Sequence, residues 1–322
     1  MNLARSGLRS CEALADLLHS WNLTNSERIL VSGVSGPIGA ALLPLLKARG
    51  FEVTRLVRGG HPKNGQIAWD PAQPLSPEPV SGFDAVVHLA GETIFGRWTE
   101  AKKRHILDSR VQGTRNLAAA LAKASARPRV FVSGSAIGYY GDRGDEILRE
   151  RSSSGHGFLA EVCREWEGAT KAAADAGIRT VCLRTGIVLS RDGGALPKML
   201  FPFRLGLGGK VGSGEQWWSW IHVHDLVAAI HHSIKSDLLQ GAVNGVSPRP
   251  VTNAEFTKTL AAVLSRPAIF PVPAVAARLV FGQMADEMLL ASQRVEPASL
   301  ITSGYPFQYV DLRKALKDLL TR

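Results

Sequence analysis

Cysteine is scarce in this chain, with three residues in 322, at positions 11, 163 and 182. The odd number and wide spacing exclude a disulfide framework and a C-x-x-C metal knuckle, and point to a reducing, cytoplasmic setting. No run approaches the ~18 apolar residues of a membrane span, so no membrane partner is expected. Acidic charge is also in deficit, 28 Asp and Glu against 38 Lys and Arg, for a formal net charge of +10. A basic surface admits anionic partners from nucleic acid to a phosphorylated small molecule. The cations are scattered, however. The densest clusters are AKKRH at 101–105 and ARPR at 126–129, without a basic tail, finger or basic helix, which argues against nucleic acid.

What is present is an ordinary globular composition, 45% hydrophobic, on a chain long enough to bury a large core. Residues 1–27 carry Glu12 and Asp16 in a short amphipathic pattern and lack the apolar heart of a secretory signal, so they read as a helical extension. Beyond them strand-like and helix-like segments alternate. RILVSG (28–33), FEVTRLVR (51–58), FDAVVHLAG (83–91), RVFVSG (129–134) and RTVCLRTGIVL (179–189) read as strands. Residues 38–50, 100–124 and 158–177 between them read as helices. Near-continuous apolar strands separated by helices imply a parallel sheet covered on both faces, a Rossmann-like doubly wound α/β fold. Residues 28–190 form that domain. Residues 191–322, opening with a stretch rich in Gly, Pro and aromatics, form a small C-terminal α+β lobe, with about 221–247 returning to the sheet.

ILVSGVSGPIGAALL is the strongest motif. Gly33, Gly36 and Gly39 stand between a strand and a helix, where the chain must turn tightly, approach a pyrophosphate and pack helix on strand. Ser35, Pro37 and Ile38 complete the loop, and proline suits the first helical turn because its missing N–H costs nothing there. A carboxylate for ribose hydroxyls belongs at the end of the second strand, about 20 residues on. That strand ends RLVRGG, and Arg58 stands at this place with no acid beside it. A guanidinium can grip a 2′-phosphate, so NADP is expected rather than NAD. Later strands end in Leu89, Ala90 and Gly91, in Ser133 and Ser135, and in Arg184 and Gly186. These small or polar residues suit one ligand crossing the carboxyl edge of the sheet.

The glycine loop, LAGE, SGSAIGYYG, LRTGIVLS, PFRLGLGGKVGSGEQWWSWIHVHDL and NGVSPRPVTNAEF together resemble the atypical extended short-chain dehydrogenase/reductases, in the subgroup of NAD(P)-dependent epimerase family proteins. The resemblance runs from about residue 28 to 321. It implies bound NADPH, a small C-terminal lobe, and cofactor contacts by the Gly33–Gly39 loop, Arg58, Leu89, Ala90 and Arg110.

The same resemblance raises a discrepancy. The wider family carries a Tyr-x-x-x-Lys pair on the helix after SGS, the lysine lowering the phenol pKa for proton exchange. None of Tyr139, Tyr140, Tyr305 and Tyr309 has lysine four residues on. GFLAEVCREWE puts Phe158 and Leu159 at the tyrosine place and Val162 and Cys163 at the lysine place. Ser135 and Tyr140 are therefore expected to polarise a substrate oxygen, against turn-forming and packing roles, and Cys163 is expected in the core.

His222-Val223-His224-Asp225 reads as a strand running into an Asp-capped helix. No metal is expected, because a third ligand is not evident. Trp217, Trp218 and Trp220 could line a pocket or pack the small lobe. Asp142 and Asp145 read as a solvated loop. The expected function is an NADP(H)-binding oxidoreductase or epimerase-like protein for a small carbonyl or sugar-like substrate, a monomer or homodimer. The alternative is a redox sensor that holds NADPH without turnover.

Overall fold

The computed structural model describes residues 26–321. The expected N-terminal extension and Cys11 fall almost wholly outside the described residues. Seven strands make the central sheet: β1 (Arg28–Ser32), β2 (Glu52–Arg58), β3 (Gln66–Trp69), β4 (Ala85–His88), β5 (Val130–Ala136), β7 (Arg179–Thr185) and β11 (Gly241–Gly245). They pair in parallel in the order β11-β7-β5-β4-β1-β2-β3. Three short pairs stand apart from it: β6 (Ile147–Leu148) with β13 (Arg294–Val295), β8 (Ile187–Leu189) with β10 (Trp220–His222), and β9 (Trp217–Trp218) with β12 (Val251–Thr252). The helices are α1 (Pro37–Ala48), α2 (Glu100–Lys123), α3 (Phe158–Gly168), α4 (Lys171–Asp175), α5 (Ala195–Arg204), α6 (Val223–Lys235), α7 (Asn253–Leu264), α8 (Ala274–Phe281), α9 (Ala298–Thr302) and α10 (Leu312–Leu320). No helix among the described residues is long and apolar enough to cross a membrane.

Successive strand residues feed opposite cores because side chains alternate across a pleat. Ile29, Val31, Val87 and Val132 pack with Leu42 of α1 and Ile230 of α6. Leu30, Val86 and Phe131 pack on the other face with Leu117 and Leu121 of α2. Both faces are covered, which explains why these strands are apolar throughout. The strand order reverses between β1 and β4, and that reversal opens a crevice at their carboxyl ends. A separate core, with Trp218, Trp220, Phe256, Leu260 and Leu316, holds the small lobe. Trp218 and Trp220 are thus core residues rather than pocket lining.

Several boundaries differ from the sequence reading. The helix expected over 158–177 breaks after Gly168, where the Thr170 hydroxyl donates to the Glu167 carbonyl at 2.7 Å and closes the last turn. The strand expected over 179–189 splits at Gly186, where any Cβ would sit 2.4 Å from the Ser219 carbonyl oxygen. Strand β3 carries no pattern in the sequence, because QIAW is four residues long amid Gly, Pro and polar neighbours. Asp225 does not cap α6. The cap is His222, whose Nδ1 accepts the His224 N–H, while buried Asp225 accepts N–H bonds from Gln308 and Tyr309 at 2.9 and 2.8 Å.

His88, the last residue of β4, is fully buried between Trp69 and Phe131 with its Nδ1 2.6 Å from the Ser32 hydroxyl. Burial pushes its pKa down to about 4. A group with a lower pKa folded than unfolded binds fewer protons in the native state, so stability falls as pH drops from about 6.5 towards 4. The loss from this residue at pH 5 is about 2 kcal/mol. Urea unfolding of His88→Phe should show a flatter pH dependence between 7 and 5 than the parent. Parallel curves would remove His88 as the cause.

Candidate functional site

The glycine loop separates what the protein needs from what a ligand needs. Gly33 has φ +74°, and a Cβ on it would lie 2.5 Å from the Leu89 carbonyl carbon. A Cβ on Gly39 would lie 2.4 Å from the Gly33 oxygen. Both positions are closed by backbone. Gly36 differs: its φ of −79° suits any residue, and an added Cβ would meet only the Gly33 oxygen, at 3.5 Å. Nothing in the protein demands glycine there, so the open flank is room for a guest. Gly36 is also the N-cap of α1 and has no side-chain capping bond, which leaves first-turn amides and the positive end of the helix dipole facing that space. Pro37 begins the helix as expected, Ser35 is exposed, and Ile38 packs on the core.

At the other side of the crevice, β2 ends in exposed Arg58 with no acid on that strand end. Glu92, just past Leu89-Ala90-Gly91, donates its backbone N–H to Ser109 Oγ at 3.0 Å and takes a Lys102 hydrogen bond at 2.8 Å. The Lys102 bond is the main cause of its lowered pKa, and the Arg58 charge contributes. Leu89 and Ala90 are half-buried against Gly33. Arg110 lies across Gly91, stacks over Trp166 at 5.1 Å, and donates to the carbonyls of Ile106 and Glu92 at 3.1 and 3.0 Å. Its visible work is to hold the β4 exit loop in shape.

The exit of β5 departs most from the sequence reading. Ser133 is fully buried, its hydroxyl turned to the Gly134 carbonyl, so that side chain does not reach the ligand edge. Ser135 is buried too, and its only proton goes to Glu167 Oε1 at 2.6 Å. Tyr140 is wholly enclosed: its hydroxyl donates to Asn244 Oδ1 at 2.7 Å and accepts from Arg184 at 3.0 Å. Burial raises its pKa, with the Arg184 charge opposing. Neither Ser135 nor Tyr140 stands ready to donate to a substrate oxygen, and both belong instead to a network centred on Arg184. That guanidinium grips Glu167 through two bonds of 2.7 and 2.8 Å and lies 3.4 Å over the Tyr139 ring.

Leu159 and Cys163, four apart on α3, face the β5 exit. Leu159 Cβ would be 3.1 Å from a Cβ on Gly138, and the Cys163 thiol donates to the Ala136 carbonyl at 3.5 Å. They occupy the face on which the wider family's tyrosine–lysine pair would stand. Burial pushes the Cys163 thiol up to about 12, so it is a packing group and not a nucleophile at neutral pH.

Leu159 also lines a cavity of about 310 Å³ beneath the small lobe, with His156, Asp142, Arg278, Asp286 and Glu287. The Glu287 carboxylate accepts the N–H groups of Phe158 and Leu159 at 3.0 and 2.7 Å and so caps α3 from 128 residues away. Sequence reasoning had no signal for it. Asp142 and Asp145 are exposed, as a solvated loop requires, and each also holds a partner, accepting from the Ser292 N–H at 3.0 Å and the Trp217 indole at 2.7 Å.

Among the described residues His222, His224 and Asp318 form one potential metal-binding group, their ligand atoms within 4.8 Å. The third member, invisible in the local motif, comes from α10. With Nδ1 of His222 accepting a backbone N–H, the neutral ring carries its proton on Nε2, which faces Asp318 Oδ2 at 3.4 Å while the ring stacks 3.8 Å from Tyr309. This geometry ties α10 to β10.

Against known proteins, the profile of the NAD dependent epimerase/dehydratase family matches residues 29–244, and that of a domain of unknown function, DUF1731, matches 272–319. The epimerase family protein MT2273 of Mycobacterium tuberculosis is 40% identical over 296 residues, 91% of this chain and 98% of its own length. The crystal structure of human epimerase family protein SDR39U1 with NADPH has a TM-score of 0.85 at 39% identity, covering 92% of this chain and 99% of the human one. That of the nucleoside-diphosphate sugar epimerase from Corynebacterium glutamicum gives 0.78 at 40% identity, covering 92% of this chain and 58% of that one. The family profile runs through every strand of the parallel sheet and both sides of its crevice, and the chain belongs to the NAD dependent epimerase/dehydratase family.

Proposed function

We propose that this chain binds NADP(H) in the β1–β4 crevice and acts as an oxidoreductase or epimerase on a small carbonyl or sugar-like substrate. The observation that carries the reading is the open flank of Gly36 over uncapped amides of α1. The Gly33–Gly39 loop seats the pyrophosphate, Arg58 takes the 2′-phosphate, and Leu89, Ala90 and Gly91 form the wall that Arg110 supports. A relative with NADPH in its crystal structure, 39% identical, supports the choice of cofactor. The bound nicotinamide supplies the hydride chemistry. The substrate sits in the cavity at Leu159. Proton exchange falls to groups lining that cavity rather than to Ser135 or Tyr140, and His156 is the lining side chain that can both donate and accept. We place the protein in the cytoplasm, where its two described cysteines, both free and buried, stay reduced.

Calorimetric titration tests the cofactor. The parent should bind NADPH in preference to NADH, and Arg58→Ala should weaken NADPH at least about tenfold while leaving NADH unchanged, as for one lost charge-assisted bond. Equal affinities in the parent would overturn the assignment. Leu159 and Cys163 at the place of a proton-exchanging pair favour a second reading, a sensor that holds NADPH without turnover. NADPH absorbance followed across a panel of carbonyl compounds and nucleotide sugars separates the two: tight binding with no substrate supports the sensor.

A further inference from the structure

The small lobe presents an apolar surface that the fold itself does not use. Of thirteen large apolar side chains exposed among the described residues, ten lie in three segments, 93–98, 195–212 and 266–284. These segments touch one another. Phe270 donates its N–H to the Gly208 carbonyl, Arg97 donates to the Leu279 carbonyl at 2.9 Å, Phe95 meets the Phe281 ring at 5.7 Å, and Lys198 lies 3.7 Å over Phe95. Lys198 and Phe201 share one face of α5 by helical spacing, with Leu205 at its C-cap, and Val275 and Leu279 share one face of α8. Phe201 is 71% exposed and Leu279 72%. Single exposed apolar residues are ordinary, but ten on joined segments are not.

The charge of the same segments is one-sided. They contain Arg97, Lys198, Arg204, Lys210, Arg266 and Arg278, all exposed, and no Asp or Glu, although Arg278 pairs at 2.7 Å with Asp286 just past the third segment. We propose that this face docks the protein on an anionic lipid surface, the apolar side chains entering the headgroup region and the cations meeting lipid phosphates. Protruding Phe, Leu, Ile and Val among Lys and Arg are the composition such surfaces select. A second copy of the chain is the poorer occupant, since a two-fold contact would set two like-charged faces against each other on a chain of net charge +10. The absence of an apolar span does not bear on this, because lying on a bilayer needs none. Arg278 belongs to this face and to the cavity lining, so the face borders the cavity mouth.

Cosedimentation of the full chain with vesicles tests the proposal, without cofactor, so its outcome is independent of NADPH binding. The protein should partition onto 70:30 phosphatidylcholine:phosphatidylglycerol vesicles at least tenfold more than onto pure phosphatidylcholine, and rising salt should release it. Phe201→Ser/Leu279→Ser and, separately, Arg204→Glu/Arg266→Glu should each cut partitioning at least tenfold with the thermal midpoint retained. Equal binding to neutral vesicles, or anionic binding unchanged in both variants, overturns it. Absence of vesicle binding together with a dimer in sedimentation velocity that Phe201→Ser/Leu279→Ser dissociates also overturns it, and gives the face to a second copy.

Discussion

Replacing Gly36 by valine is expected to weaken NADPH binding by about a hundredfold, equivalent to roughly 2.8 kcal/mol, while leaving the folded state almost untouched. The backbone at Gly36 is extended, with φ −79° and ψ 162°, so a side chain brings no strain. The added Cβ meets a single protein atom at van der Waals distance. As an N-cap change, in which valine is the poorer cap, the cost to α1 is about 0.5–1 kcal/mol. The branches would instead fill the space before the α1 amides, where a pyrophosphate must come close. Gly36→Ala should show a smaller effect of the same sign. Gly33→Ala is the contrast: at φ +74° with backbone 2.5 Å from the new atom, it should destabilise the protein by about 2 kcal/mol or more and lower cofactor affinity only through that damage. Fluorescence titration with NADPH beside thermal unfolding of the free proteins separates the cases. Parent-like NADPH affinity in Gly36→Val would falsify the placement of the pyrophosphate.

The difference between these glycines shows what was legible in the sequence. The loop could be read because its chemistry is local: three glycines three apart, a proline at the first helical position and a strand before them fix the turn within seven residues. Arg58 could be read as the end of a strand for the same reason. Ser135 and Tyr140 could not, because SGSAIGYYG reveals which residues are neighbours and not which of them turn inward. Tyr139 and Tyr140 are adjacent, yet only Tyr139 is partly exposed, while Tyr140 is sealed by Asn244, which stands 104 residues on. Glu287 and Asp318 reach the α3 end and His222 across 128 and 96 residues, distances at which no periodicity survives. The apolar face over 195–212 and 266–284 was hidden differently. Its residues alternate with buried ones such as Leu196, Leu200, Phe203 and Ala277, so only the fold shows which of them remain outside.

Arg184→Met should cost about 3–5 kcal/mol of stability, the largest loss expected from any polar substitution here. The guanidinium is 4% exposed at its side chain and its Glu167 partner 16%. Burial alone would lower the Arg184 pKa, but the Glu167 bonds overcome that and raise it, so the charge persists at every working pH. Removing Arg184 strands the Glu167 carboxylate in a site holding only the Ser135 hydroxyl to satisfy it, and leaves the Tyr140 oxygen and the Glu150 carbonyl without a donor. Arg184→Lys should recover little, since one ammonium cannot serve two carboxylate oxygens and stack on Tyr139 at once. Arg184→Met/Glu167→Leu should regain most of the loss, because a buried ion pair owes much of its apparent strength to the penalty of leaving one member behind. The double variant also frees the Ser135 proton. If that hydroxyl can serve a substrate at all, this background should reveal it as activity sensitive to Ser135→Ala, which the parent should not show. Urea unfolding of the single and double variants closes the cycle. A single Arg184→Met within 1 kcal/mol of the parent would mean that water enters and satisfies Glu167 (a change of about this size being the ordinary effect of a substitution). The network would then be a surface feature rather than the joint that holds β5, β7, α3 and β11 together at the ligand edge.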